Sequence, residues 1–517
     1  MTLIRQLADR ARQSREQLLR ERRMATAEMP LKYWCQQAHF TTPASGTPEK
    51  AIQGLAAARK LLQKFDISPA ELADHAGAPL SALRGLIEQP DCHTPLVMVD
   101  CEDAVALDAE SARKARAGAI RCFSQANWGS TLAFFRPAGL TLDGCIDDLF
   151  EVLPAVASER VEHYPIDGLI WPKVEHPNEL VWLNERLGEI EHLLGLPEQR
   201  IKLQFLVESG YALAQLPELV KAVTPRLTGI IWGIADYAAD VNLPELRNDH
   251  PSCDWARQVI VNVAGAVNVP AIDNMTLNYP TPLHRGEGLS LAQQQANKLK
   301  VLNALKEAYQ DACHGIRLGM SGKWVGHPGQ LLMVLAAYQG ACSQAQLDQD
   351  IAEIELYQRS VASGSGATMI GRGEGDYMAD RATDRHLRAR LRRATAWGRL
   401  DAQRAASLGI INASIFVAIA LVVQSGIAGI SVAIMKALAG DWLAIVVSLL
   451  QLILGILLAI GAIYLALYIL DRLTKGVDEF EEIRKGNAAV ALMMAGVIVS
   501  TAIIIQSGVI GITSALL

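Results

Sequence analysis

Between residues 36 and 345, short β-rich runs alternate with stretches whose apolar residues recur at helical spacing. The runs AHFTT (38–42), LVMVD (96–100), TLAFFR (131–136), DGLIWP (167–172), IKLQFLV (201–207), TGIIWG (228–233), PAID (270–273) and GIRLGM (315–320) predict eight strands. Between them, AESARKARAGAI, PNELVWLNERLGEIEHLL and SLAQQQANKLKVLNALKEAY predict amphipathic helices. Eight βα units over about 310 residues predict an α/β fold of the (β/α)8 TIM-barrel type, with a doubly wound sheet as the alternative.

The pattern changes abruptly after about residue 408. Residues 410–435, 442–470 and 488–517 contain no charged side chain, and each run exceeds the ~20 residues that cross a bilayer as a helix. They predict a C-terminal three-helix transmembrane domain over 409–517, with spans at about 410–435, 442–470 and 488–515. Basic residues set its orientation: Arg385, Arg388, Arg390, Arg392, Arg393, Arg399 and Arg404 precede the first span, and Arg472, Lys475, Arg484 and Lys485 follow the second. The rule that such loops stay inside predicts a multi-pass membrane protein with the large N-terminal part in the cytoplasm. VVQSGIAGI (422–430) recurs as IIQSGVIGI (504–512), a pattern of small residues and a glutamine suited to helix packing. The block from the second span through DRLTKGVDEFEEIRKGNAAVALMMAG resembles an uncharacterised family of bacterial inner-membrane proteins, and this resemblance implies a bacterial inner membrane. Residues 1–35 read as a charged helical segment without the apolar core of a secretory signal.

Composition fits this division. Of 517 residues, 50% are apolar and 20% charged, and mean hydropathy is +0.18, high for a wholly soluble chain. Forty-eight Lys and Arg against 54 Asp and Glu give a net charge of −6, which argues against a protein that coats nucleic acid. The eight cysteines are scattered without CxxC spacing, as in a reducing compartment. An insertion at about 58–92 holds ISPAELADHAGAPLSALRGLIE, with the turn of a helix-turn-helix. Only Arg84 is basic on its second helix, so it reads as a structural hairpin and no nucleic-acid partner is expected.

In a barrel, chemistry sits at the C-terminal ends of the strands. Those ends carry Asp100 to Asp103, Arg136, Lys173, Glu208, Asp236 and Asp273, with GKWVGHP following the eighth run. One such carboxylate is usually a helix cap; together they outline an acidic pocket with two basic members.

DCEDAV (100–105), Pro172-Lys173, Val-Glu-Ser (207–209), Gly-Ile-Ala-Asp-Tyr (233–237) and GKWVGHPGQ (322–330) resemble, in order, motifs of the citrate lyase β-subunit and HpcH/HpaI aldolase superfamily. The resemblance covers about residues 36–395. It implies a lyase or aldolase that makes or breaks a carbon–carbon bond beside a carbonyl, in a 2-oxo or 2-hydroxy acid or its CoA thioester. It implies Mg2+ on Glu208 and Asp236, with Mn2+ as the alternative. Arg136 would hold the substrate's carboxylate or oxo oxygen, and the N–H groups around Ala235 its other end. Glu102 and Asp103, with Lys173 beside them, would orient metal-bound water. The segment GSGATMIGRGEGDYMADRATDRHLRAR (364–390), within the lid and basic linker expected over 346–408, resembles the family's lid. There Asp380, with Asp376 as rival, would act as acid in a neighbouring subunit, which implies a homo-oligomer such as a trimer. Two departures stand out: Arg136 is followed by Pro137-Ala138-Gly139 instead of a nearby Asn, and FTTPASGTPEK lacks the basic pair that often meets a CoA phosphate. The alternative is a metabolite-sensing barrel coupled to a membrane bundle or channel.

Overall fold

The structure is a computed structural model that describes residues 10–12, 14–15, 29–88, 93–103, 105–106, 108–157, 164–372, 375–398 and 488–516. It forms two compact units, residues 1–346 and 347–517.

The first unit is a closed barrel of eight parallel strands in sequence order: β1 (Ala38–Pro43), β2 (Leu96–Asp100), β3 (Leu132–Arg136), β4 (Gly168–Trp171), β5 (Lys202–Val207), β6 (Leu227–Trp232), β7 (Ala271–Asp273) and β8 (Gly322–Val325). Side chains alternate faces along a strand. Leu96 and Met98 on β2, Leu132 and Phe134 on β3, and Leu206 on β5 join Ile170, Ile231, Ile272 and Trp324 in the core. Each such burial contributes roughly 1.5–3 kcal/mol. The same alternation carries Asp100, Arg136 and Glu208 onto the inner face at the mouth. At the opposite end Gln36, His39 and Gln204 are buried. Gln204 Nε2 donates to Gln36 Oε1 at 2.8 Å, and Gln36 Nε2 to the Thr228 carbonyl at 2.9 Å. Burial without an ionic partner holds His39 neutral, its proton affinity lowered to about 3.

Helices cover the outside: α1 (Gly54–Lys64), α2 (Pro69–Ala76), α3 (Leu80–Glu88), α4 (Ala109–Gln125), α5 (Pro177–Leu193), α6 (Leu216–Val223), α7 (Ile234–Asp240), α8 (Pro251–Val267), α9 (Leu291–Leu318) and α10 (Pro328–Gly340). The helical hairpin lies at α2–α3, with Ser68 as N-cap and Gly77 closing α2 in the left-handed conformation. It packs on α9 and α10. His75 Nε2 lies 2.9 Å from Asn303 Oδ1, and Lys298 Nζ reaches Glu71 at 2.9 Å.

The eighth strand differs from its expected place. GIRL at 315–318 is the last turn of α9, a 28-residue helix with a Ser290–Gln293 capping box and a left-handed Gly319 cap, and β8 is GKWV. Gly315 serves close packing: a Cβ there would lie 2.7 Å from Asp273 Oδ2. GKWV closes the barrel, with Ala38 opposite Lys323 and Ile272 opposite Gly322.

The second unit begins within α11 (Gln344–Ala362). It continues through an antiparallel hairpin, β9 (Thr368–Arg372) and β10 (Gly375–Ala379), into α12 (Arg381–Ala396). The first two apolar runs, 410–435 and 442–470, lie outside the described residues, as does most of 1–35. The third is α13 (Ala488–Leu516), whose side chains are described over 492–507 only. That described stretch, 492–507, is shorter than the ~20 residues that cross a bilayer as a helix.

Candidate active site

The mouth is organised around a buried ion pair. Asp100 and Arg136 are register partners on β2 and β3. The guanidinium chelates the carboxylate, Nε to Oδ1 and Nη2 to Oδ2, both at 2.7 Å. Arg136 Nη1 lies 3.3 Å from Glu102 Oε2 and 3.5 Å from Asp103 Oδ2, and Trp324 covers the guanidinium with its ring centroid at 5.3 Å. Burial alone would lower the proton affinity of Arg136, and Asp100 more than offsets this, so the group stays charged. With 1% exposure and carboxylates at all three nitrogens, Arg136 does not line the cavity. The direct grip on a substrate carboxylate expected of it gives way to a role in holding Asp100, Glu102 and Asp103.

Lys173, just after β4, joins this cluster to the cavity. Its ammonium lies 2.8 Å from both Glu102 Oε1 and Asp103 Oδ1 and 3.9 Å from Asp236 Oδ1. Its N–H donates to Glu208 Oε2 at 3.0 Å. Lys173 has φ 49°, in the left-handed region that costs an ordinary residue roughly 1–2 kcal/mol. That turn brings the backbone N–H and the ammonium to two different carboxylates.

Glu208 and Asp236 line one cavity of about 300 Å³, together with Lys173, Val174, Glu175, Ser209 and Asp240. Glu208 follows β5 and is 4% exposed. Burial pushes its carboxyl up to about 7, opposed by Arg136 and reinforced by Asp236. Asp236 stands half-exposed in the first turn of α7, next to exposed Ala235. Glu102 is likewise raised to about 7 by burial, against the pull of Arg136. Gly233 gives Glu208 its space, since a Cβ there would fall 2.5 Å from Oε1.

The donor set fits a hard divalent cation. Two carboxylates share one cavity, one of them buried with its charge incompletely offset, and glycine leaves room beside it. Among the described residues no group of three or more His, Cys, Asp or Glu is placed to hold a metal. The fit is to an ion such as Mg2+, which takes one or two carboxylates and fills its remaining positions with water and substrate.

Other expected members lie elsewhere. With Ile272 facing inward, Asp273 faces the helices, where Arg257 Nε meets it at 2.7 Å and Lys323 Nζ at 3.2 Å. It belongs to a buried ionic cluster behind the wall. Asp380 and Asp376 belong to the second unit. Asp380 caps α12, accepting from the N–H groups of Ala382 at 2.8 Å and Thr383 at 3.1 Å. These bonds hold its carboxyl below the usual range. Asp376 lies opposite Gly371 on the β9–β10 hairpin. Sequence reading missed Gly233, the Trp324 lid on Arg136 and the Lys323–Asp273–Arg257 cluster. For the last, strand alternation offered the signal.

An all-parallel eight-stranded barrel with a carboxylate-rich mouth defines the class of protein. The chain belongs to the family described as Domain of unknown function (DUF6986), whose model matches residues 158–420, half of the chain. Residues 444–517 match a second family, Domain of Unknown Function (DUF350). The chain is similar to the L-malyl-CoA/β-methylmalyl-CoA lyase of Rhodobacter capsulatus, at 24% identity over 282 residues, 53% of this chain and 80% of that one. It is also similar to the lyase of the same name from Haloarcula marismortui, at 23% over 207 residues, 40% of this chain. It spans about half the length of that relative, 55%. Among solved structures, a citrate lyase from Burkholderia xenovorans aligns with TM-score 0.48 and 18% identity, over 71% of this chain and 93% of that one.

Proposed function

We propose that the protein is a Mg2+-dependent carbon–carbon lyase that cleaves or forms a bond beside the carbonyl of a CoA thioester of a hydroxy acid. Mn2+ is an alternative ion, and a free 2-oxo or 2-hydroxy acid an alternative substrate. The observation that carries this reading is the convergence of Glu208 and Asp236 on one cavity whose flank is fixed by Lys173, Glu102 and Asp103. The similarity to malyl-CoA lyases supports the CoA thioester.

Glu208 and Asp236 would hold the ion, which supplies electrostatic stabilisation of the negative charge that develops on the carbonyl oxygen as the bond breaks. Arg136 holds the acidic loop in place through Asp100, and Glu102 and Asp103 would orient water at the mouth. The first-turn N–H groups of α7 around Ala235 would receive an anionic end of the substrate. In cleavage the substrate hydroxyl loses its proton, the C–C bond breaks to leave a carbonyl compound, and a proton returns to the carbon beside the thioester. Asp380 from a neighbouring copy, in a homo-oligomer such as a trimer, is our candidate for that proton. Its carboxylate must first leave the N–H groups that cap α12.

The apolar C-terminal runs would anchor the chain in a bacterial inner membrane as a multi-pass protein, with lipid around them and the barrel in the cytoplasm. A second reading, a non-catalytic barrel that senses a metabolite for the membrane segment, draws on the complete engagement of Arg136 by carboxylates. Turnover of L-malyl-CoA by the full chain in detergent separates the two. The lyase reading expects Mg2+-dependent cleavage that Glu208→Gln reduces by at least ~100-fold, on the scale of losing one preorganised electrostatic element. Equal turnover in the variant overturns it.

A further inference from the structure

Five carboxylates crowd the mouth, and the two basic residues divide them. Asp100 is taken by Arg136 through two 2.7 Å contacts. Glu102 Oε1 and Asp103 Oδ1 both meet the Lys173 ammonium at 2.8 Å, while Arg136 Nη1 lies 3.3 and 3.5 Å from their other oxygens. Glu208 and Asp236 remain for the cavity. The oxygens of Glu102 and Asp103 already face a single point. A divalent ion at that point binds oxygen at about 2.0–2.6 Å, so each carboxylate would need to close in by less than about 1 Å. What keeps this pair from being a metal site is the ammonium that fills it.

Lys173 is suited to that task. Its backbone is turned into the left-handed region and pinned by its N–H to Glu208, so the ammonium is delivered from a fixed point. It cannot be lost to solvent, as a dissociable ion can. It also sits 3.9 Å from Asp236, which places a positive charge between the two carboxylate pairs and disfavours an ion bridging them.

We propose that Lys173 is a positioning residue that restricts the mouth to one divalent ion, by occupying the Glu102–Asp103 pair and leaving Glu208 and Asp236 to bind metal. This rests on the metal reading given above. The consequence for the reaction is a single defined ion position.

Titration of the full chain in detergent with Mn2+ alone, following free Mn2+ by electron paramagnetic resonance, tests the assignment without turnover. Wild type and Lys173→Arg are expected to bind one equivalent. Lys173→Gln and Lys173→Met are expected to bind two, and Lys173→Gln combined with Glu208→Gln one. A Lys173→Gln or Lys173→Met protein that keeps the wild-type circular dichroism and Tm but binds a single equivalent overturns the proposal. Should both fail to fold, Glu102→Gln with Asp103→Asn decides: one equivalent supports the assignment, and loss of binding overturns it by placing the ion on the wrong pair. A wild-type chain that binds no Mn2+ overturns the metal reading itself and this inference with it. One equivalent throughout overturns the inference alone.

Discussion

Gly233 stands against Glu208 with no space for a side chain: a Cβ on Gly233 would lie 2.5 Å from Glu208 Oε1 and 2.7 Å from its Cγ. The glycine follows β6 and the glutamate follows β5, so neighbouring strands meet where the carboxylate must point into the cavity. Gly233→Ala is expected to push Glu208 aside, weaken Mn2+ binding at least tenfold and cost roughly 1–3 kcal/mol of stability. Isothermal titration with urea unfolding measures both. Metal affinity within twofold of wild type would show that the position of Glu208 does not matter.

Glu208 also sets a pH dependence. Its carboxyl is raised to about 7 by burial, against about 4.3 in an unfolded chain. A raised acid favours the folded state only while protonated, so in the metal-free protein stability falls as pH climbs from about 4.3 to about 7. Glu208→Gln removes its share of that slope and leaves the share of Glu102, which burial also raises to about 7. The variant should exceed wild type by up to roughly 2–3 kcal/mol at pH 8 and match it near pH 4. Added Mn2+ should stabilise wild type more at pH 8 than at pH 5.5, because the ligand must be deprotonated. Parallel pH profiles for the two proteins without metal would contradict the assignment.

Arg136→Met leaves Asp100, at 0% exposure, without its chelating partner. Breaking a buried pair from one side costs about 3–5 kcal/mol, and chemical denaturation should show a loss in that range. A loss below about 1 kcal/mol would mean that Asp100 finds another partner. Arg136→Lys should recover only part of the stability, since an ammonium cannot make the two parallel contacts.

The C-terminal runs predict that the full chain stays with the membrane pellet after alkaline carbonate extraction. Release into the supernatant would argue that these apolar segments pack within protein.

Much of the barrel was legible because seven of its strands are runs of apolar or β-branched residues. The eighth was not. GKWV carries two apolar residues, and its lysine is buried because its ammonium meets Asp273 Oδ2 and the Asn274 carbonyl behind the wall. The preceding GIRLGM looked more strand-like, but Gly315 is where α9 passes close to Asp273. Glu208, Asp236, Glu102, Asp103 and Lys173 were found by their places at strand ends. Their division of labour was not, because it depends on which carboxylate meets which cation in three dimensions. Arg136 illustrates this: the family resemblance implies a substrate contact at the end of β3, while register puts Asp100 directly beside it. Asp380 caps α12, the ordinary place for an Asp ahead of a helical run.

The most direct test of the metal-dependent site is a crystal of the full chain soaked with Mn2+ and a 2-oxo acid, with anomalous scattering recorded at a manganese-sensitive wavelength. The account predicts one peak at about 2.0–2.6 Å from oxygens of both Glu208 and Asp236, with the oxo acid completing its shell. A peak at another group of side chains, or none at Glu208 and Asp236 under saturating Mn2+, would contradict it.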